Sequence, residues 1–285
     1  MKIKIKCIYD SNIRQIDNFG SFNGVSFLLE TNRGKMLFDT GLVSWRLLRN
    51  LKNLEISPNS IDRVAISHGH MDHVRGIKAL AKVRSTDTKL KIFAHPNIME
   101  TKKACFYGIK LWNAGFPKMT TELMDKLDFD YSKELREIEP QIFLSGEIPF
   151  EKRKEEQNLS QFFWHKVNGN WKHDPIIEEQ CMIIKTSKGL VIMSGDCHIG
   201  LKNTLFRVRE LFDEKIYAFI GGLHLTKSTT KKITKITEAI EQNFSHIKFY
   251  LNHTSIVRAI SHFRKKLGED IINNFFLGSE LIFEY

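Results

Sequence analysis

The chain begins with strict alternation, Lys2-Ile3-Lys4-Ile5-Lys6, the period-two pattern of a strand with one buried face. Val25–Glu30 and Lys35–Phe38 flank Asn32-Arg33-Gly34 and predict a hairpin with glycine at its turn. Trp45, Leu47, Leu48, Leu51 and Leu54 then recur at helical spacing. Val64-Ala65-Ile66 ends a short buried strand, Ile77, Leu80 and Ala81 mark a short helix, and Leu90–Ala94 is a further strand. Regularity is lost over 97–175, where Gly108, Gly115 and Pro117 punctuate the chain and charges run from Glu151 to Glu156. A mixed-charge helix is expected near Thr121–Ile138, and the whole stretch is expected to be an insertion or cap, since long irregular segments in compact domains are often lids. Strand pattern resumes in Cys181–Lys185, Leu190–Met193, Ile216–Ile220 and Ile247–Leu251, with helices carrying Ile233, Ile236 and Ile240, then Ile256, Ile260 and Phe263. A hairpin-like segment closes near Leu281–Phe283. Alternating strands and helices predict an α/β fold, and the two similar halves predict one sandwich domain over 1–285.

Composition narrows the class. With 42% hydrophobic residues in 285, the chain can bury a substantial core. No apolar run approaches the ~20 residues of a membrane span, and the amino terminus lacks the continuous apolar stretch of a signal peptide. Cys7, Cys105, Cys181 and Cys197 are scattered without CxxC spacing, which argues against a disulfide framework or iron–sulfur cluster and points to a reducing cytoplasm. The net charge of +10 is spread along the chain without a compact basic arm. It therefore reads as a solvated surface that also attracts anionic, phosphorylated small molecules, and nucleic acid is the less favoured partner. A homo-oligomer stays open.

The chemistry concentrates in Ser67-His68-Gly69-His70-Met71-Asp72-His73, directly after the Val64–Ile66 strand. Imidazole nitrogens and carboxylate oxygens suit zinc, iron and manganese, and a loop leaving a strand can present them to a cleft. Other strand ends carry Asp39, His95, Asp196 with His198, His224 and His253. Ligands distant in sequence meet when their strands end at one sheet edge. Asp196, His198 and His253 are expected as further ligands; His95 and His224 are expected to contact substrate.

Phe38-Asp39-Thr40-Gly41, Ser67–His73, Ser194-Gly195-Asp196 and Leu251-Asn252-His253 resemble the successive motifs of the metallo-β-lactamase superfamily. Gly24–Glu30, Ala94-His95-Pro96, Ser145–Pro149, Gly195–His198 and Gly221–Leu225 resemble, more narrowly, the branch containing 7,8-dihydropterin-6-methyl-4-(β-D-ribofuranosyl)aminobenzene-5′-phosphate synthase. The resemblance implies an αββα sandwich of two mixed sheets flanked by helices, with two divalent metal ions at one edge, zinc foremost and iron or manganese as alternatives. It implies that His68 and His70 hold one ion and Asp72 and His73 the other. Asp196 would bridge, His253 would complete the second site, His198 would complete the first, and Asp39 would orient a ligand histidine. Asp196-Cys197 replaces the branch's common Cys-Ser, Val74-Arg75-Gly76 its Thr-Gly-Gly, and Asn252–Ser255 its His-Cys-Thr-Gly.

The expected activity is metal-dependent hydrolysis of a phosphorylated or pterin-like small molecule. Asp72 would orient the nucleophile or accept its proton, His224 or His95 would bind substrate or protonate the leaving group, and Thr254 and Ser255 would receive a phosphate at a helix start. A transferase of the synthase type, joining a pterin diphosphate to an arylamine, is the rival; a nucleic-acid phosphodiesterase is a third reading.

Overall fold

The computed structural model describes residues 2–11, 23–85, 88–106, 109–149, 162–226, 228–255 and 257–285; Gly108, the Glu151–Glu156 run and Ile256 lie outside the described residues. The first half contains β1 (Lys2–Tyr9), β2 (Ser26–Thr31), β3 (Gly34–Phe38), α1 (Ser44–Asn53), β4 (Ile61–Ala65), α2 (Met71–Val74), α3 (Ile77–Val83) and β5 (Leu90–Ala94). The middle contains β6 (Lys102–Phe106), β7 (Ile109–Asn113), α4 (Thr121–Met124), β8 (Leu127–Tyr131), β9 (Arg136–Glu139), β10 (Ile142–Leu144), β11 (Phe163–Val167) and β12 (Asn170–His173). The rest is β13 (Met182–Thr186), β14 (Gly189–Ser194), α5 (Leu201–Leu211), β15 (Ile216–Gly221), α6 (Thr230–Phe244), β16 (Lys248–Leu251), α7 (Val257–Leu267), β17 (Ile272–Asn274) and β18 (Glu280–Glu284).

Two seven-stranded sheets form, in the orders β18-β1-β2-β3-β4-β5-β8 and β17-β16-β15-β14-β13-β10-β9. Their facing sides share one core: Ile3, Ile5, Phe27 and Leu29 from the first meet Met182, Ile184, Val191, Met193 and Ile220 from the second. The outer side of the first sheet packs Leu28, Leu37, Val64 and Ile92 against Leu47 and Leu51 of α1 and Leu80 of α3. The outer side of the second packs Ile183, Ile192 and Phe219 against α5, α6 and α7 through Leu205, Ile236, Ile240, Ile260 and Phe263. The layers are therefore helix, sheet, sheet, helix. Strands covered on both sides, such as β14 and β15, are apolar at consecutive positions for this reason. In β1 the polar side faces outward, where Lys4 pairs with Glu30 at 2.7 Å and Lys6 with Glu280 at 3.0 Å; this is why the chain begins with clean alternation.

The expected insertion over 97–175 is corrected by the strand pairing. Strand β8 extends the first sheet, and β9 and β10 extend the second. Among the described residues, only β6, β7, β11 and β12 form a separate four-stranded sheet. The expected Thr121–Ile138 helix is likewise a single turn, α4, followed by strands β8 and β9. In β8, Leu127 and Phe129 pack toward the α1–α3 core, while Asp130 carries Arg136 and Lys91. The closing Leu281–Phe283 segment belongs to β18 and pairs antiparallel with β1. All four cysteines are buried and free of disulfides. Among the described residues, no helix is long and apolar enough to cross a membrane.

Candidate metal centre

Strands β3, β4, β5 and β8 run parallel, as do β14, β15, β16 and β17. Parallel strands release their following loops at a common edge, and those loops build the site. Asp39 follows β3, the His68–His73 segment follows β4, Asp196 and His198 follow β14, His224 follows β15, and His253 follows β16. Asp39, His224 and His253 adopt positive φ values of 61°, 46° and 48°, a conformation that non-glycine residues hold only where the surroundings over-determine it.

Seven side chains converge with His224 as an eighth. The ligand atoms lie within 4.8 Å of one another in each of four overlapping groups: His68, His70, His198; His68, His73, Asp196; Asp72, His73, His253; and Asp196, His198, His224. Asp196 stands at the overlap, its carboxylate 3.2 Å from His198 Nε2 and 3.8 Å from both His224 Nε2 and His253 Nε2. Asp72 lies 3.8 Å from His253 Nε2 and 3.9 Å from His73 Nε2.

The far sides of His68, His70, His73 and His253 are held in place. Asp39 Oδ2 accepts from Ser67 Oγ at 2.7 Å and sits 2.7 Å from His73 Nδ1, while Asp39 Oδ1 accepts from the Ser67 amide at 2.8 Å. Ser67 Oγ lies 3.0 Å from His68 Nδ1. Asp174 Oδ2 is 3.2 Å from His70 Nε2, which leaves Nδ1 to face the centre. Ser11 contacts His253 Nδ1, and Asp10 accepts from the His253 amide at 2.8 Å. Glu179 accepts from the amides of His198 and Ile199 at 2.8 and 2.6 Å. Thr254 donates to Asp196 and accepts from the His224 amide. Meanwhile His68 Nε2, His73 Nε2 and both ring nitrogens of His198 are buried without a hydrogen-bond partner among the described residues. Buried polar atoms are normally satisfied. Inward nitrogens left open beside carboxylates, with outward nitrogens anchored, fit a metal centre.

The electrostatics follow the same division. Burial, then His73 and His70, hold His68 far below the usual imidazole range; burial also lowers His70 and His253. Burial and His198 push His224 down to about 3. For His73 burial opposes the charge, but Asp39 and Asp72 outweigh it and lift the pKa to about 9. Burial disfavours charge on Asp72 and Asp196 as well, yet the surrounding histidines hold both below the ordinary carboxylate range. For His198 too burial opposes the charge, but Asp196 outweighs it and raises the pKa. His68, His70, His224 and His253 are thus neutral and both acids ionised, the forms that bind cations.

Other expected residues fall elsewhere. His95 is buried between Glu147 Oε1 at 2.9 Å and the Asn97 amide at 3.0 Å, and it joins none of the four groups. Thr254 holds Asp196 with its hydroxyl, and Ser255 is buried. His165 is buried against Glu100. Asp10, Ser11, Lys102, Asp174, Glu178 and Glu179 escaped the sequence reading. The carboxylates just before the apolar β13 were the available signal: a charged pair entering a buried strand needs a buried partner.

A protein of Methanocaldococcus jannaschii, 7,8-dihydropterin-6-methyl-4-(β-D-ribofuranosyl)-aminobenzene-5′-phosphate synthase, is 30% identical over 276 residues, 94% of this chain and 92% of its own. The chain belongs to the metallo-β-lactamase superfamily. The superfamily pattern matches residues 20–156. Among solved structures, Tm1679, a metal-dependent hydrolase of the β-lactamase superfamily, superposes with a TM-score of 0.79 at 25% identity, covering 98% of each chain. The metallo-β-lactamase fold protein YhfI of Bacillus subtilis has a TM-score of 0.56 at 12% identity over 99% of this chain and 100% of its own, a likeness of fold alone. The metallo-β-lactamase fold typically binds metals, and its members are enzymes; the histidine–aspartate groups here provide the donors.

Proposed function

We propose that the chain is a metal-dependent hydrolase with a two-ion centre, acting on a phosphorylated or pterin-like anionic small molecule. The observation that carries this reading is the chain of four overlapping donor groups, two of which share Asp196. In this reading His68, His70 and His198 hold one ion, Asp72, His73 and His253 hold the other, and Asp196 serves both. Bound divalent ions, zinc foremost, lower the pKa of water and offset charge on a phosphoryl or carbonyl oxygen. Asp72, ionised and partly open to solvent, orients the nucleophilic water. His224, beside Asp196 and with a side chain 21% exposed, presents a neutral imidazole to the substrate. Asp39, Asp174, Glu179 and Thr254 keep the donors in position without contact with the substrate.

The test is metal analysis, with a phosphoester and pterin-phosphate screen on the same sample. Bound transition metal and ester cleavage that both vanish in His70→Ala are expected. Full activity with retained metal in that variant overturns the assignment.

A second reading is supported by the 30% identity to a synthase over 94% of the chain. The same centre would stabilise a diphosphate leaving from a pterin while an arylamine, rather than water, forms the new bond. A pterin diphosphate supplied with an arylamine acceptor separates the two: a coupled product supports the transferase, and hydrolysis alone supports the hydrolase.

A further inference from the structure

A cavity of about 300 Å³ lies beside the metal loop, lined by Ser44, Arg75, Lys78, Asn113, Pro117 and Lys118. Half of these residues are cations and none is a carboxylate. The cavity forms where the start of α1, the junction of α2 and α3 and the segment leaving β7 meet. Its walls are tied together. Ser44 Oγ donates to the Arg75 carbonyl at 3.1 Å, Arg75 Nη2 to the Asn113 carbonyl at 2.5 Å, and Lys78 Nζ to the Lys118 carbonyl at 2.8 Å. The Met71 amide donates to the Ala114 carbonyl at 2.8 Å, fixing the same segment against the metal loop. Asn113 takes one of the five N–H donors of Arg75, and Lys118 one of the three of Lys78. Both cations keep donors for an anion. Arg75 follows Asp72 by one helical turn, so the two positions are neighbours. Arg75 is half-buried, where a lower dielectric strengthens its attraction for a charge.

We propose that this cavity is a subsite for a phosphate group carried by the substrate, separate from the group transformed at the metal centre. It rests on the phosphorylated-substrate reading above. A planar guanidinium with two flexible ammonium groups offers three positive charges and donors from several directions to a tetrahedral dianion, and the volume admits a phosphate with part of its sugar.

The first arm of the test uses chelator-treated protein and titrates inorganic phosphate by calorimetry, with sulfate and chloride as comparisons. Saturable phosphate binding is expected, weakened at least about tenfold by Arg75→Gln and by Lys78→Gln/Lys118→Gln, whose lysines are exposed, and retained in His198→Ala. Equal binding by the variants, equal competition by chloride, or no binding overturns the proposal. The second arm uses metal-loaded protein with thymidine 5′-(p-nitrophenyl phosphate) and its 3′-phosphorylated form. A lower KM for the 3′-phosphorylated ester, with the KM ratio collapsing toward one in Arg75→Gln, identifies the anion as part of a substrate. A ratio unchanged by the substitution overturns that identification. If neither ester turns over, these esters are not substrates, which leaves the hydrolase reading to its own screen, and the first arm decides the subsite.

Discussion

His68, His70, His73 and His253 are each held through the nitrogen that points away from the centre. Residues that never touch an ion therefore govern how well one binds. Asp174→Asn removes the charge that fixes His70 while keeping the shape, and metal affinity should fall about 10–100-fold. Competition with a chromophoric chelator measures it; unchanged affinity would show that His70 needs no anchor. Gly195 presents a harder limit. A Cβ there would overlap Ser67 Oγ and lie 2.5 Å from Asp39 Oδ2 and 2.9 Å from His73 Nδ1. Gly195→Ala should displace the anchor of His73, costing about 2 kcal/mol or more of stability together with metal binding. Denaturant unfolding and metal analysis check both losses. The Ser67–His73 segment was legible in sequence because its ligands are contiguous. Asp174 was not, since it lies about a hundred positions from His70 and nothing local marks the partnership.

At the level of elements, the small inserted sheet is tied to the metal loop by a buried charge cluster. Lys102 of β6 is fully buried, 2.6 Å from Asp174 and 2.7 Å from Glu178, and Glu178 also accepts from the Gly69 amide at 3.3 Å. Burial opposes the ammonium, but the two carboxylates outweigh it and keep Lys102 charged. Lys102→Ala strands two buried carboxylates, so a loss of about 3–5 kcal/mol is expected, read by urea unfolding; a loss below 1 kcal/mol would mean that water compensates the pair. Phe27 of β2 lies between the main sheets, its ring 6.5 Å from Phe38 and 6.1 Å from Phe275. Phe27→Ala should cost about 3–5 kcal/mol by the same measurement without moving the metal ligands directly. Strands with sustained periodicity, such as β1 and the β2–β3 hairpin, were legible because a buried face imposes its pattern. Strands β8 and β9 were not, because their charged positions mimic a solvated helix and only their neighbours at the sheet edges make them strands.

For the molecule as a whole, the two sheets bring the ends of β3, β4, β14, β15 and β16 to one edge, and occupancy of that edge should stabilise the whole domain. Free metal at 100 times its dissociation constant should add about 2.7 kcal/mol, and chelation should remove it, lowering the thermal midpoint reversibly. A midpoint indifferent to chelator and to added zinc or manganese would contradict a folded-state metal centre. The sequence by itself determined the candidate donors and the layered α/β class. Ligand chemistry is written in residue types, and core patterning in alternation, both of which are local. Only the tertiary structure decided which donors share a group, that His95 pairs with Glu147 instead of joining them, and that Arg75, Lys78 and Lys118 line one cavity. Those outcomes depend on how distant segments are brought together by packing, and hydrophobic periodicity along one segment carries no record of what another segment will place against it.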